Sequence, residues 1–209
     1  MHRTLAALAC AALLAGCAGN APSGGQADAA VRAKAVEVMK TSFKERGIAK
    51  LDRLDQDSTQ ALCSQYATQA PPKDVAEKIE KANLALVKPP ADGVYLGDWK
   101  RGEAIAQRGT GFQYSDTKET PVGGNCYACH QLAPQEVSYG TIGPSLYQFG
   151  KLRGYGPDIQ KYAYGKVWKA EAYSACSNMP RFGHSQILTE AQVKDLVALL
   201  MDPESPVNK

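Results

Sequence analysis

Five consecutive residues, Cys126-Tyr127-Ala128-Cys129-His130, constrain this 209-residue chain more than any other stretch. Cysteines at i and i+3 put both thiols on one side of a single helical turn, and the histidine one residue on is carried beneath them. Two thiols so placed can add to the two vinyl groups of one porphyrin while the imidazole aims a nitrogen at iron. This is the attachment pattern of a c-type haem. Other uses of the pattern ask for more than the chain offers: a zinc site wants a second ligand pair at suitable spacing, and a thioredoxin-type dithiol wants a βαβ setting. A structural disulfide within the motif is the bland alternative. The expectation is one covalent haem c on Cys126 and Cys129, with His130 as a ligand to iron.

The ligand on the other side of the iron must come from a short list. Past the first few residues the chain has one further histidine, His184, and three methionines, Met39, Met179 and Met201. Met201 lies near the end of a helical pattern whose apolar stripe is Val193, Leu196, Val197 and Leu200, so it reads as core or helix terminus. Met39 falls in an N-terminal helical stretch and reads as packing. Met179 sits in Ser177-Asn178-Met179-Pro180-Arg181-Phe182-Gly183-His184, which has no periodicity and precedes the last helix. A loop thioether in that position makes Met179 the expected ligand and His184 the runner-up, with a solvent-facing or hydrogen-bonded loop residue as the plain reading of His184.

The N-terminus reads as an export signal. His2 and Arg3 precede an apolar run from Leu5 to Gly16, too short to span a bilayer and of the length of a signal-peptide core. The run ends in Leu14-Ala15-Gly16-Cys17, which resembles a lipobox with Cys17 as the acylated residue; ordinary cleavage after Ala21 is the alternative. The mature protein is thus expected in the periplasm, where a lipid on Cys17 would be its one membrane attachment. Lys plus Arg number 24 against 21 acids without clustering, which speaks against a nucleic-acid or membrane-surface binder.

The expected organisation is all-α: a signal segment at 1–17, a Gly/Ala/Ser-rich tether at 18–28, a small helical unit at 29–92 and a second domain at 93–209. Helical stretches are expected from Ala29 to about Arg46 and from Ser58 to about Ala67. A third opens at Pro72 with Val75, Ile79 and Leu86 at helical spacing. A fourth, from Asp98 to Arg108, carries Gly102 in its middle, where glycine costs about 1 kcal/mol against alanine; a close helix crossing would explain it. Thr189 and Gln192 form a capping box for the last helix, which Asp202-Pro203 closes. With Cys10 removed with the signal, Cys17 removed or acylated and two thiols on haem, Cys63 and Cys176 are the pair left, and they can join in only one way. Such a bond would hold the Met179 loop to the N-terminal unit; free thiols or a bond to a partner stay open. The tyrosines between Tyr139 and Tyr173, with Trp168, read as packing for haem edges and interfaces.

Residues from about 93 to 209 resemble a class I cytochrome c, through Gly97 to Gly102, Cys126 to His130, Ile142-Gly143-Pro144-Ser145-Leu146, the Met179 loop and Leu188 to Leu200. The resemblance implies that the Pro144 carbonyl holds the His130 ring. More narrowly, the string from Cys176 to His184 and the ending Asp202-Pro203-Glu204-Ser205-Pro206-Val207-Asn208 are similar to the SoxX family, the small cytochrome subunits of SoxAX thiosulfate-oxidising complexes. Residues 29–92 are longer than a minimal member needs. What this resemblance implies is an electron-transfer subunit without catalytic residues, inside an assembly of L-cysteine S-thiosulfotransferase type. Its partners would be a larger SoxA-type subunit with one or two haems, a SoxY-type carrier protein met transiently, and a soluble cytochrome c as acceptor. The alternatives are a general exported mono-haem cytochrome c, or an enzyme with an open iron position or a reactive thiol, for which no residue pattern argues.

Overall fold

The computed structural model describes residues 29–209. The expected signal segment 1–17, the lipobox Cys17 and the tether 18–28 lie outside the described residues. In chain order the helices are α1 (Ala29–Ser42), α2 (Ser58–Ser64), α3 (Lys73–Leu84), α4 (Trp99–Gln107), α5 (Phe149–Arg153), α6 (Pro157–Trp168) and α7 (Glu190–Met201), joined by loops and short 3-10 turns. Among the described residues the only bridge of sheet type pairs Arg46 with Ala49. No described helix is long and apolar enough to cross a membrane.

Crossing of α4 and α7 organises the larger part of the molecule. The Asp98 carboxylate caps α4 by accepting the backbone N–H groups of Lys100 and Arg101, and Thr189 and Gln192 cap α7 reciprocally. These satisfy amides that a helix start leaves without partners. From α7, Val193, Leu196, Val197, Leu199, Leu200 and Met201 are all buried, which bears out the core reading of Met201. Gly102 has its reason here: a Cβ at this position would lie 2.2 Å from the Asp195 carbonyl oxygen and 3.0 Å from the Leu199 Cβ. Only a residue without a side chain lets the two backbones come this close. At the same crossing the buried Asp195 carboxylate accepts the Asp98 N–H at 2.8 Å and both Nε and Nη2 of Arg101 at 2.9 Å. The Gly97 N–H donates to the Lys194 carbonyl.

Helices α5 and α6 have no counterpart in the sequence reading. Buried Asn208, on the last 3-10 turn, accepts the Gly150 and Lys151 N–H groups at the start of α5 and donates to the Leu200 and Asp202 carbonyls at the end of α7. One amide therefore serves the loose ends of two helices. On α6, Tyr164 is fully buried, stacked on Trp168 and edge-on to Tyr95, while Tyr162 meets Tyr173 edge-on. Tyr139 and Tyr155 stay exposed.

In the N-terminal unit the elements are shorter than expected. α1 ends at Ser42 rather than Arg46, and the chain turns at Gly47, whose φ of +52° suits glycine. Pro72 caps α3 from outside instead of opening it, and Leu86 falls beyond the helix and is exposed. The buried positions of α3 are Ile79 and Asn83; the Asn83 side chain donates to Thr59 Oγ1 of α2 and to the Ile79 carbonyl. Met39, expected to pack, is 39% exposed because α1 buries none of its residues.

Replacing Gly102 with alanine tests the crossing. Although alanine is the better helix former by about 1 kcal/mol, forcing the backbones apart should cost more, for a net loss of about 1–3 kcal/mol. Chemical unfolding of the haem-loaded protein measures it.

Candidate functional site

The motif turn hangs from the end of α4. Gly124 N–H donates to the Ile105 carbonyl and Asn125 N–H to the Arg108 carbonyl, both at 2.9 Å. Asn125 adopts a left-handed conformation, φ +46°, and launches the 3-10 turn Cys126–Ala128. Within it the N–H groups of Cys129 and His130 both donate to the Cys126 carbonyl. This single turn presents Cys126, Cys129 and His130 together, and neither cysteine is bridged. The segment that follows folds back over the turn: Gly140 N–H donates to the Tyr127 carbonyl and Gly143 N–H to the Cys129 carbonyl. Both approaches demand glycine, since a Cβ would stand 1.9 Å from the Ala128 oxygen at Gly140 and 2.1 Å from the His130 ring at Gly143.

Folding back delivers the Pro144 carbonyl to His130 Nδ1 at 2.7 Å. A carbonyl can only accept, so Nδ1 carries the proton and Nε2 keeps its lone pair for a metal. The contact implied for Pro144 is thus present in the fold.

Cys126, His130 and Met179 line one apolar cleft, walled by Leu132, Leu146, Val167, Phe182 and the α7 leucines Leu196, Leu199 and Leu200. These residues fit a covalently held haem c. Two unbridged thiols share one turn, although only Cys126 of the two lines the cleft; an imidazole has its free nitrogen oriented by a backbone partner, and a thioether lines the same slot. Burial pushes the Cys126 thiol up to about 12, with the neighbouring Cys129 adding to the shift. Such a thiol is neutral at neutral pH, which argues against a thiolate-transfer catalyst at this position. Among the described residues no group of three or more His, Cys, Asp or Glu assembles for a metal.

The Met179 loop is tied down on the side of the N-terminal unit. Cys63 of α2 and Cys176 form a disulfide, with Cα atoms 5.2 Å apart. Next to it Arg181 pairs with the Asp57 carboxylate at the start of α2, and its Nε lies 3.6 Å from buried Glu171. Glu80 of α3 accepts the Ala175 N–H at 3.0 Å. The sequence reading found the disulfide but not Asp57, Glu80, Glu171 or Arg181. Only the capping box Asp57-Ser58-Thr59-Gln60 left a local trace, and it marks a helix start rather than an ion pair. His184 is half-buried and outside the cleft lining; its N–H donates to the Trp168 carbonyl. Burial, with Lys169 and Arg181 nearby, holds its imidazole below the usual histidine range, so it is neutral at neutral pH.

Comparison with known proteins gives three findings. A family model described as Cytochrome c matches residues 101–202. An "Uncharacterized lipoprotein" of Aquifex aeolicus (strain VF5) is 39% identical over 156 residues, covering 74% of this chain and 73% of that protein. Among solved structures, the crystal structure of SoxXA from P. pantotrophus aligns at 25% identity over 51% of this chain and 82% of the matched chain, with a TM-score of 0.36.

Loss of the disulfide should be felt across both parts of the chain. The loop-entropy model gives about 4.7 kcal/mol for closing roughly 100 residues, and native bridges typically deliver about 2–4 kcal/mol. A paired Cys63→Ser, Cys176→Ser variant should lose stability in that range on chemical unfolding while retaining its haem. In the native protein neither cysteine should react with an alkylating reagent until a reductant is added.

Proposed function

This chain belongs to one family with the A. aeolicus lipoprotein and carries a cytochrome c domain over residues 101–202, and from that premise we propose that it is the electron-relay subunit of a SoxAX-type complex. A cytochrome c domain implies a covalently bound haem c and electron transfer. In this reading Cys126 and Cys129 would hold one porphyrin through thioether bonds, and His130 and Met179 would be the ligands to its iron. When bound, haem c supplies one-electron iron redox chemistry.

One observation carries the assignment: His130 and Met179 line the same apolar cleft as Cys126, so a nitrogen and a sulfur ligand are available together. With His130 and Met179 both given to the iron, the site would offer a substrate no open position, and the thioether would raise the potential. Pro144 fixes the His130 ring and keeps its proton on the nitrogen away from the metal. The apolar walls would limit the access of water to the site. No residue of this chain is assigned a catalytic role. It would accept electrons one at a time from a SoxA-type subunit, where thiosulfate is joined to a SoxY-type carrier cysteine, and pass them to a soluble cytochrome c. The strings Cys176 to His184 and Asp202 to Asn208 support this narrower reading. The Leu14-Ala15-Gly16-Cys17 string, together with a family member named as a lipoprotein, supports export to the periplasm and a lipid anchor on Cys17.

Purification from the native host without denaturant tests the function. The expected result is a second, larger haem-bearing chain held with this one, both reduced by thiosulfate plus the carrier protein. Recovery alone, with one haem indifferent to those substrates, leaves a general exported electron carrier. In either case Met179→Ala should abolish the sulfur-to-iron charge-transfer band and lower the potential, whereas His184→Ala should leave both in place.

A further inference from the structure

The first described helix leaves its apolar side chains uncovered. Every residue of α1 is exposed except Arg32, which is half-buried, and Val31, Val38 and nearby Phe43 are 62%, 50% and 56% exposed. The helix is held to the rest of the chain by polar arms. Arg32 Nη2 donates to the Ala61 carbonyl, and Lys40 Nζ pairs with Asp55 at 2.6 Å. Val31, Ala35 and Val38 recur at i, i+4 and i+7 and so form a stripe on a different side of the helix from Lys40. Nothing in the described chain covers that stripe.

Two observations say what does. Over residues 29–50 the cations Arg32, Lys34, Lys40, Lys44, Arg46 and Lys50 outnumber the acids Glu37 and Glu45, so an apolar stripe lies within a locally basic segment although the whole chain is nearly balanced. The helix also starts 12 positions after Cys17, and the 11 residues between reach at most about 40 Å when fully extended. We propose that α1 lies in the interface of an anionic lipid bilayer, its Val31, Ala35 and Val38 stripe seated among acyl chains and exposed Lys34 and Lys44, which hold no other element of the chain, on lipid phosphates. The placement rests on the lipid-anchor reading of Cys17 for its role in the cell. A single lipid tether would leave the electron-transfer domain free to swing, whereas a second contact fixes which face is turned to partners.

The experiment separates the helix from the anchor. Haem-loaded chain beginning at Ala18, which carries no acyl group, is co-sedimented with vesicles of phosphatidylglycerol and phosphatidylethanolamine, and in parallel with vesicles of phosphatidylcholine alone. The expected result is binding to the anionic vesicles, weakened by salt, and binding about tenfold weaker or less for the Val31→Asp, Val38→Asp variant with its haem spectrum unchanged. Failure of the unaltered chain to bind anionic vesicles overturns the proposal, as does equal binding by the variant. If the unaltered chain ignores vesicles and the variant loses a co-purifying protein instead, the stripe belongs to that protein and the proposal fails. The mass of the native chain reports acylation of Cys17 independently, so loss of the anchor reading and loss of the helix reading give different results.

Discussion

Close approach of α4 and α7 is the contact on which the rest of the structure depends. Without a side chain at Gly102 the two backbones meet at the Asp195 carbonyl, and the buried Asp195 carboxylate spends its acceptor sites on the Asp98 N–H and the Arg101 guanidinium. Removing a partner from a carboxylate buried this way costs far more than an exposed pair contributes. The crossing therefore fixes register as well as distance. It places Leu196, Leu199 and Leu200 of α7 as one wall of the cleft and leaves the end of α4 where it can receive the turn carrying Cys126, Cys129 and His130.

The two sides of the cleft are held by different physics. On the histidine side the constraints are backbone ones: a left-handed Asn125, two glycines under crowded contacts, and a proline carbonyl that sets the tautomer of His130. Such constraints are local and stiff. On the methionine side the loop is irregular and owes its position to groups from elsewhere, namely the disulfide to Cys63, the Arg181 pairs with Asp57 and Glu171, and the Glu80 acceptor. The N-terminal unit thus serves as a clamp on the thioether loop, a purpose for residues 57–84 that no motif within them announces.

Legibility in the sequence followed how local each feature is. The capped helices α4 and α7 were readable because a cap needs only three or four consecutive residues. α6 was missed because its tyrosines and small residues show no clean apolar stripe, and α5 because five residues carry little periodicity. The expected packing of Met39 failed for a related reason: helical propensity in Ala29 to Ser42 says that a helix forms, not that it finds a partner.

By itself the sequence set out the candidates: Cys126, Cys129 and His130 at fixed spacing, a scarce set of methionines and histidines, and, with the N-terminal Cys10 and Cys17 set aside, a single cysteine pair left over. These are matters of covalent geometry and of counting. Only the tertiary structure decided that Met179 rather than His184 shares the cleft with His130, that Gly143 lets Pro144 reach the ring, and that Arg181 anchors the loop to α2. Those outcomes join residues tens of positions apart. Their energies come from burial and from desolvated charge, which no stretch of chain possesses until the helices have met.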